Sequence, residues 1–231
     1  SVWFSSSFLE LTPSVEGADL FIDEAMTNLT FQYNASEAIS SGGGSGSGSS
    51  SNSSFAYANN QIASGYYHTC AILDNGSVSC WGLGNQGQLG NGGTSQQNSP
   101  TLTSSLGTGR TAVALSSGVS HTCAILDNGA VSCWGDGYYG QLGNGGTSDK
   151  TTPTLTSSLG TGRTAVALAS GDYHTCAILD NGAVSCWGLG SSGRLGNGGT
   201  SDKTTPALTS SLGTGRTAVA LSSGDSHTCA I

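Results

Sequence analysis

Seven cysteines and four histidines recur at fixed intervals along the chain. Cys70 with Cys80, Cys123 with Cys133 and Cys176 with Cys186 make three pairs ten positions apart, and Cys229 stands where a further pair would open. Each pair flanks Asp-Asn-Gly, a strong hairpin signal because glycine supplies the positive φ that a tight turn needs. If Asp74-Asn75-Gly76 is a three-residue loop, Leu73 faces Ser77 and Cys70 faces Cys80, with Cβ atoms about 4.5–5.5 Å apart and close to disulfide reach. A two-residue loop would instead set Cys70 opposite Trp81. Reduced cysteines acting as small buried hydrophobes are the competing reading. A zinc site fits poorly, since paired ligands are normally separated by about two to four residues. Three disulfides imply an oxidising compartment. Asn-x-Ser/Thr triplets at Asn28, Asn34, Asn52 and Asn75 agree with it and mark candidate glycosylation sites.

His68, His121, His174 and His227 lie 53 residues apart, which invites a metal or catalytic ring. No Asp or Glu recurs beside them, so a structural hydrogen bond within each unit is the expected role. Arg110, Arg163 and Arg216 each follow Gly-Thr-Gly, a spacing that matches neither a dinucleotide fingerprint nor a P-loop, and reads as a turn into a strand. Every candidate nucleophile, base or carboxylate recurs in every unit, so no unique catalytic set assembles. The chain reads as a non-enzyme with no cofactor and no metal.

The elements that position these residues follow from the same 53-residue step, which also relates Trp81, Trp134 and Trp187. Those tryptophans are expected to pack between units or beneath a loop. One unit predicts four strands, at Thr111–Leu115, His121–Leu126, Ala130–Trp134 and, more weakly, Thr154–Ser158. Four antiparallel strands on a period of some tens of residues indicate an all-β propeller. Units begin near residues 65, 118, 171 and 224.

A glycine followed by His-Thr-Cys-Ala-Ile-Leu, an Asn-Gly turn, Val-Ser-Cys-Trp-Gly, and Gly-Gln-Leu-Gly at 87–90 and 140–143 resembles the regulator-of-chromosome-condensation repeat. The third unit departs with Gly193-Arg194-Leu195-Gly196. The resemblance covers residues 55–231 and implies blades of a ring that usually closes with seven. Three full units and the start of a fourth would then form an incomplete ring, completed by remaining blades of the same chain. The end at Ile231, inside a strand, reads as a truncation, and a leader is expected to have been removed or to lie upstream. The resemblance also implies two activities: guanine-nucleotide exchange with chromatin binding, as in the founding member, or protein binding, as in secreted members that inhibit β-lactamases.

Residues 1–35 read as the end of a preceding β domain, with strands at Ala18–Ile22 and Leu29–Tyr33, and 36–54 as a Ser/Gly linker. The net charge is −8, and residues 1–54 hold six acids and no base. With no clustered Lys or Arg, nucleic acid is excluded as a partner. No apolar run approaches the roughly 18–20 residues of a membrane helix, so direct membrane insertion is not expected.

The near-identical units differ mainly at Tyr66-Tyr67, Val119-Ser120, Asp172-Tyr173 and Asp225-Ser226, and again around Asn85-Gln86, Asp136-Gly-Tyr138-Tyr139 and Ser191-Ser192, with Arg194 close by. In an antiparallel meander both sets lie on one edge. Tyrosine gives large contact area at low entropic cost, so variable loops on a rigid scaffold predict a recognition surface. The candidate binding residues are Tyr66, Tyr67, Asn85, Gln86, Val119, Ser120, Asp136, Tyr138, Tyr139, Asp172, Tyr173, Ser191, Ser192 and Arg194. The expected function is an extracellular or cell-surface binding or adhesion module for a protein or glycan. Nucleotide exchange and a purely structural spacer are the alternatives.

Overall fold

The computed structural model describes residues 61–231 and, within the first sixty, four short strands. The chain divides into two compact units, Ser1–Ala56 and Tyr57–Ile231. In the first, β1 (Trp3–Ser5) pairs with β2 (Phe8–Glu10), and β3 (Ala18–Ile22) with β4 (Leu29–Tyr33), both antiparallel. The strands β3 and β4 are the two read from the sequence. The Ser/Gly segment at 36–54 lies outside the described residues.

The second unit is a series of antiparallel meanders. The first sheet holds β5 (Ile62–Ser64), β6 (His68–Ile72), β7 (Val78–Gly82) and β8 (Gln97–Leu102). The second holds β9 (Ala112–Ser117), β10 (His121–Leu126), β11 (Val131–Gly135) and β12 (Lys150–Leu155). The third holds β13 (Ala165–Ser170), β14 (His174–Leu179), β15 (Val184–Gly188) and β16 (Lys203–Leu208). A fourth opens with β17 (Leu221–Ser223) and β18 (Thr228–Ala230). Their innermost strands β5, β9, β13 and β17 lie side by side in that order, and among the described residues the sheets do not close into a ring. The units counted from 65, 118, 171 and 224 therefore start after the innermost strand of each sheet.

The hairpin register is set by its turn. Gly76 takes φ +76°, and its N–H donates to the Leu73 carbonyl at 2.9 Å while Leu73 N–H reaches Ser77 at 2.8 Å. This three-residue loop places Ile72 opposite Val78, Ala71 opposite Ser79 and Cys70 opposite Cys80. The second and third sheets repeat it, and disulfides join Cys70 to Cys80, Cys123 to Cys133 and Cys176 to Cys186. The fourth strand corrects the sequence expectation: it runs over Lys150–Leu155, not Thr154–Ser158. Pro153, which cannot donate to a ladder, sits where the register slips between Thr154 and Lys150 on this outermost strand, a place where proline is tolerated.

The core lies between sheets. Cys123, Cys133, Ile125 and Val131 of the second sheet pack with Leu168, Leu179 and Trp187 of the third. An equivalent layer joins the first and second sheets through Cys70, Cys80, Leu89, Leu126 and Trp134. All six residues of β10 and of β14 are buried because a neighbour covers each face, four of them apolar and the first two, His and Thr, polar.

A repeated polar seam crosses that layer and corrects the role expected of the histidines. His68 Nε2 meets Thr122 Oγ1 of the next sheet at 2.8 Å, His121 meets Thr175 at 2.9 Å and His174 meets Thr228 at 2.8 Å. The bond is between sheets, not within one. Thr122 Oγ1 donates its only proton to the Gln88 carbonyl at 3.1 Å, so His68 must be the donor through Nε2–H, which leaves its Nδ1 as an unpartnered acceptor. The Gln88 carbonyl also accepts from Trp134 Nε1 at 2.9 Å, and Gln141 repeats both bonds with Thr175 and Trp187.

Two predictions follow from these contacts. Each disulfide closes a loop of sequence separation 10. Replacing Cys123 and Cys133 together by Ala should cost about 2–3 kcal/mol in urea unfolding, and peptide mapping without reductant should recover only within-hairpin bridges. The second concerns pH. Burial lowers His68 and His174 to about 4 and His121 to about 3, with repulsion between neighbouring histidines adding at His121 and the Arg194 charge adding at His174. The unfolded chain takes up protons below about 6.5, where the folded chain does not. Stability should hold above that pH and fall as pH drops toward 4, by about 1.4 kcal/mol per pH unit for each histidine. His121→Gln, which keeps a donor for Thr175, should flatten that slope in a urea series from pH 8 to 4. A slope unchanged by the substitution would refute the assignment.

Candidate functional site: the variable loop face

Two sets of loops share one edge of the sheets: the turns from each innermost strand to the second strand, and the longer connections after the third. The first set is built on glycine. Gly118 N–H closes a turn onto the His121 carbonyl at 2.9 Å, and a Cβ at Gly118 would collide with the His121 ring and the Gly171 carbonyl. The histidine of the seam thus presses each turn against the next. Val119 N–H reaches the Asp172 carbonyl at 3.3 Å, and Asp172 N–H reaches that of Asp225 at 3.2 Å, which joins three successive turns along a lip. The lip and the Tyr66 turn border an open concavity of about 230 Å³, with Tyr66, Val119, Asp172 and Asp225 at equivalent places along it.

The second set is held from below by buried side chains. In the second sheet Asp136 is buried, and its Oδ1 accepts the Tyr138 N–H at 2.9 Å. Asp149 Oδ1 accepts Gly137 N–H at 3.0 Å, and Gln141 Oε1 accepts Tyr139 N–H at 2.9 Å. Burial raises the Asp136 carboxyl above the usual carboxylate range, and the neighbouring Asp149 adds to the rise against the opposing Tyr138 hydrogen bond. In the first sheet Gln88 accepts Gln86 N–H and donates to Asn85. In the third, Arg194 turns back onto the carbonyl and hydroxyl of Ser191, and Ser192 takes φ +61°.

The backbone is fixed while the rings remain available. Tyr138 is 70% exposed, its ring lies edge-on to Tyr139 at 4.9 Å, and Tyr139 lies edge-on to Tyr173 of the next sheet at 5.3 Å. Tyr66 and Tyr67 form a separate edge-on pair at 4.4 Å, and both are exposed. Of the residues singled out in the sequence, Tyr138, Tyr139 and Tyr173 come together across a sheet boundary, and Val119 and Asp172 meet along the lip. Ser120, Asn85, Gln86, Ser191 and Ser192 sit in loops on the same edge. Asp136 belongs to the support of the surface, being buried. Asp225, noted in the sequence only as a variant position, proves to be part of the lip, and its equivalence to Tyr66, Val119 and Asp172 is the signal that places it there. Among the described residues, no group of three or more His, Cys, Asp or Glu could hold a metal ion.

Comparison with known proteins agrees with this architecture. The profile of the regulator of chromosome condensation (RCC1) repeat matches residues 75–125, 128–178 and 181–231. Each match runs from a hairpin turn to the second strand of the next sheet, so the first carries both Gln88 and Thr122 of one seam. The human E3 ubiquitin-protein ligase HERC2 is 37% identical over 150 residues, which cover 63% of this chain and 3% of that protein. The ultraviolet-B receptor UVR8 of Arabidopsis thaliana is 38% identical over 146 residues, covering 63% of this chain and 33% of the receptor. The crystal structure of yeast RCC1 (Prp20) bound to Kap60 superposes with a TM-score of 0.64 at 20% identity, over 72% of this chain and 40% of that one. The chain therefore spans a third or less of these curated relatives. With three matched repeats and the corresponding sheets, the chain belongs to the regulator of chromosome condensation (RCC1) repeat family.

Proposed function

We propose that the repeat unit is a non-catalytic binding module of an oxidising compartment, displayed outside the cell or at its surface, that presents the tyrosine-bearing loop face to a protein or glycan. The observation that carries this reading is the contact of Tyr139 with Tyr173 across a sheet boundary, beside the exposed Tyr138, at positions where otherwise near-identical repeats differ. A surface whose backbone is anchored by buried Asp136 and Gln141 loses little freedom on binding, and exposed tyrosines are the residues that profit most from such rigidity. The three buried disulfides support the oxidising compartment. The exposed Asn75 of the first hairpin turn, within Asn-Gly-Ser, is compatible with glycosylation there. A related yeast structure concerns binding to Gsp1p and histones. Its 19% identity transfers the fold alone, and the acidic balance of this chain, at −8, is unsuited to nucleic acid.

The test replaces Tyr138 and Tyr139 by Ser, the residues that the third repeat carries at the equivalent Ser191 and Ser192. Binding is screened on a glycan array and against a panel of extracellular ectodomains. The double variant should unfold at the same urea concentration as the parent and bind its ligand at least roughly tenfold more weakly, as loss of aromatic anchors does. Asn128→Asp, on the opposite edge, should leave affinity within about twofold. Equal binding by the tyrosine variant with loss in Asn128→Asp would reverse the assignment of faces.

A further inference from the structure

The concavity inside the lip has a chemistry of its own. Its four equivalent lip positions divide it in two, with Tyr66 and Val119 on one side and Asp172 and Asp225 on the other. Ser117 and Ser170 line its wall, and their hydroxyls are buried without a hydrogen-bond partner. Beneath it, the wholly buried His121 keeps an unpartnered, unprotonated Nδ1 against Gly118, and the buried His174 has an Nδ1 without a hydrogen-bond partner against Gly171, two glycines of the same wall. One half of the lip thus carries carboxylates and the other half is uncharged. Burial and the neighbouring Asp225 raise the Asp172 carboxyl, with the Arg194 charge opposing. The turns at Val119, Asp172 and Asp225 are tied to each other through their backbones, which shapes that side of the space in advance.

We propose that this concavity receives a lysine or arginine side chain from a protein partner, its aliphatic stem against Tyr66 and Val119 and its cationic head at Asp172 and Asp225. Long basic side chains are apolar along the stem and charged only at the tip, which is the division the lip presents. The inference rests on the loop face being the binding surface, and it narrows the partner from protein or glycan to a protein with a projecting basic residue.

The isotope-labelled full chain is titrated with three blocked tripeptides, Gly-Arg-Gly, Gly-Lys-Gly and Gly-Glu-Gly, while backbone amide shifts are followed by NMR. Either or both basic peptides should produce saturable shifts at residues 65–67, 118–120, 171–173 and 224–226, and the response to each identifies guanidinium or ammonium as the preferred head. The acidic peptide should produce none. Asp172→Asn combined with Asp225→Asn keeps the side-chain shape and removes both charges, so affinity for the basic peptides should fall at least about tenfold. Unmoved hairpin-turn amides in that variant establish that it is folded. Basic peptides that leave the four turns unshifted, or that shift them equally in the double variant, would overturn the proposal. If Tyr138→Ser with Tyr139→Ser still weakens an array-derived ligand, the loop face remains the binding surface and only the occupant of the concavity is wrong. Shifts confined to the hairpin turns around Asn128 would remove both readings.

Discussion

One backbone carbonyl in each of the first two sheets, that of Gln88 and that of Gln141, organises this structure. The Gln88 carbonyl accepts Trp134 Nε1–H and Thr122 Oγ1–H from the following sheet, and Thr122 in turn receives His68 Nε2–H. All these groups are buried, so removing one donor would strand its partner in a layer that water does not reach. The seam therefore fixes the spacing and angle between sheets before side-chain packing refines them. It also explains why the repeat length is rigid. The bonds join residues 34, 46 and 54 positions apart, and an inserted residue between them would have to be absorbed without moving either end. Because the acceptor belongs to the backbone, its side chain is under a separate constraint. Arg194 occupies the position of Gln88 and Gln141 while making its own contact with Ser191.

The two edges of the sheets divide the work. On the hairpin edge, Arg110 pairs with Asp127 and Arg163 with Asp180, each at 3.2 Å, and Asp127 also accepts Thr111 N–H. These pairs are partly exposed, and such ion pairs contribute little beyond local order. Their recurrence fits a scaffold role: they hold the connection between consecutive sheets to the next hairpin turn. On the opposite edge the polar groups are buried and point at the backbone, as Asp136 and Gln141 do, while the side chains above them are open to change. Val119 and Asp172, or Tyr138 and Ser191, can exchange without touching the seam because the bonds that shape their loops come from main-chain groups and from residues below.

How much of this is legible in sequence depends on the range of the contact. The hairpin register is readable because Asp-Asn-Gly and two cysteines lie within ten residues, and a three-residue loop leaves one pairing. The second strand is readable from the run His121–Leu126, in which Cys123–Leu126 is apolar and the whole strand is buried. The outermost strand was misplaced because Lys150–Leu155 contains Pro153 and shows little apolar patterning. It is half in solvent, pairs on one side only and obeys weaker rules. The histidine partner was assigned to the wrong sheet for a different reason. Its role as a hydrogen-bonding residue follows from type and recurrence, but nothing local distinguishes Thr122, 54 residues from His68, from a threonine in the same sheet. The tyrosine cluster lies between these cases. That Tyr138, Tyr139 and Tyr173 share an edge follows from strand alternation, whereas the 5.3 Å approach of Tyr139 to Tyr173 depends on the angle between sheets that the seam sets.

That dependence bears on how such a surface can change. Each sheet contributes its own loop positions above an unchanged seam, so substitutions in separate loops act on separate sectors and their effects on affinity should add. Additivity fails where sectors touch. Tyr139 and Tyr173 are in edge contact, and the lip joins Val119 to Asp172 and Asp172 to Asp225 through the backbone. A change at Tyr173 therefore alters the setting of Tyr139, while a change at Tyr66 or Tyr67 leaves that cluster intact. The turns themselves have no such latitude, since the glycines at 65, 118 and 171 are pressed between a histidine ring and the next turn. Diversity at the face is thus carried by side chains on a backbone that cannot follow them. This favours partners whose shape is already complementary over partners that require the loops to rearrange.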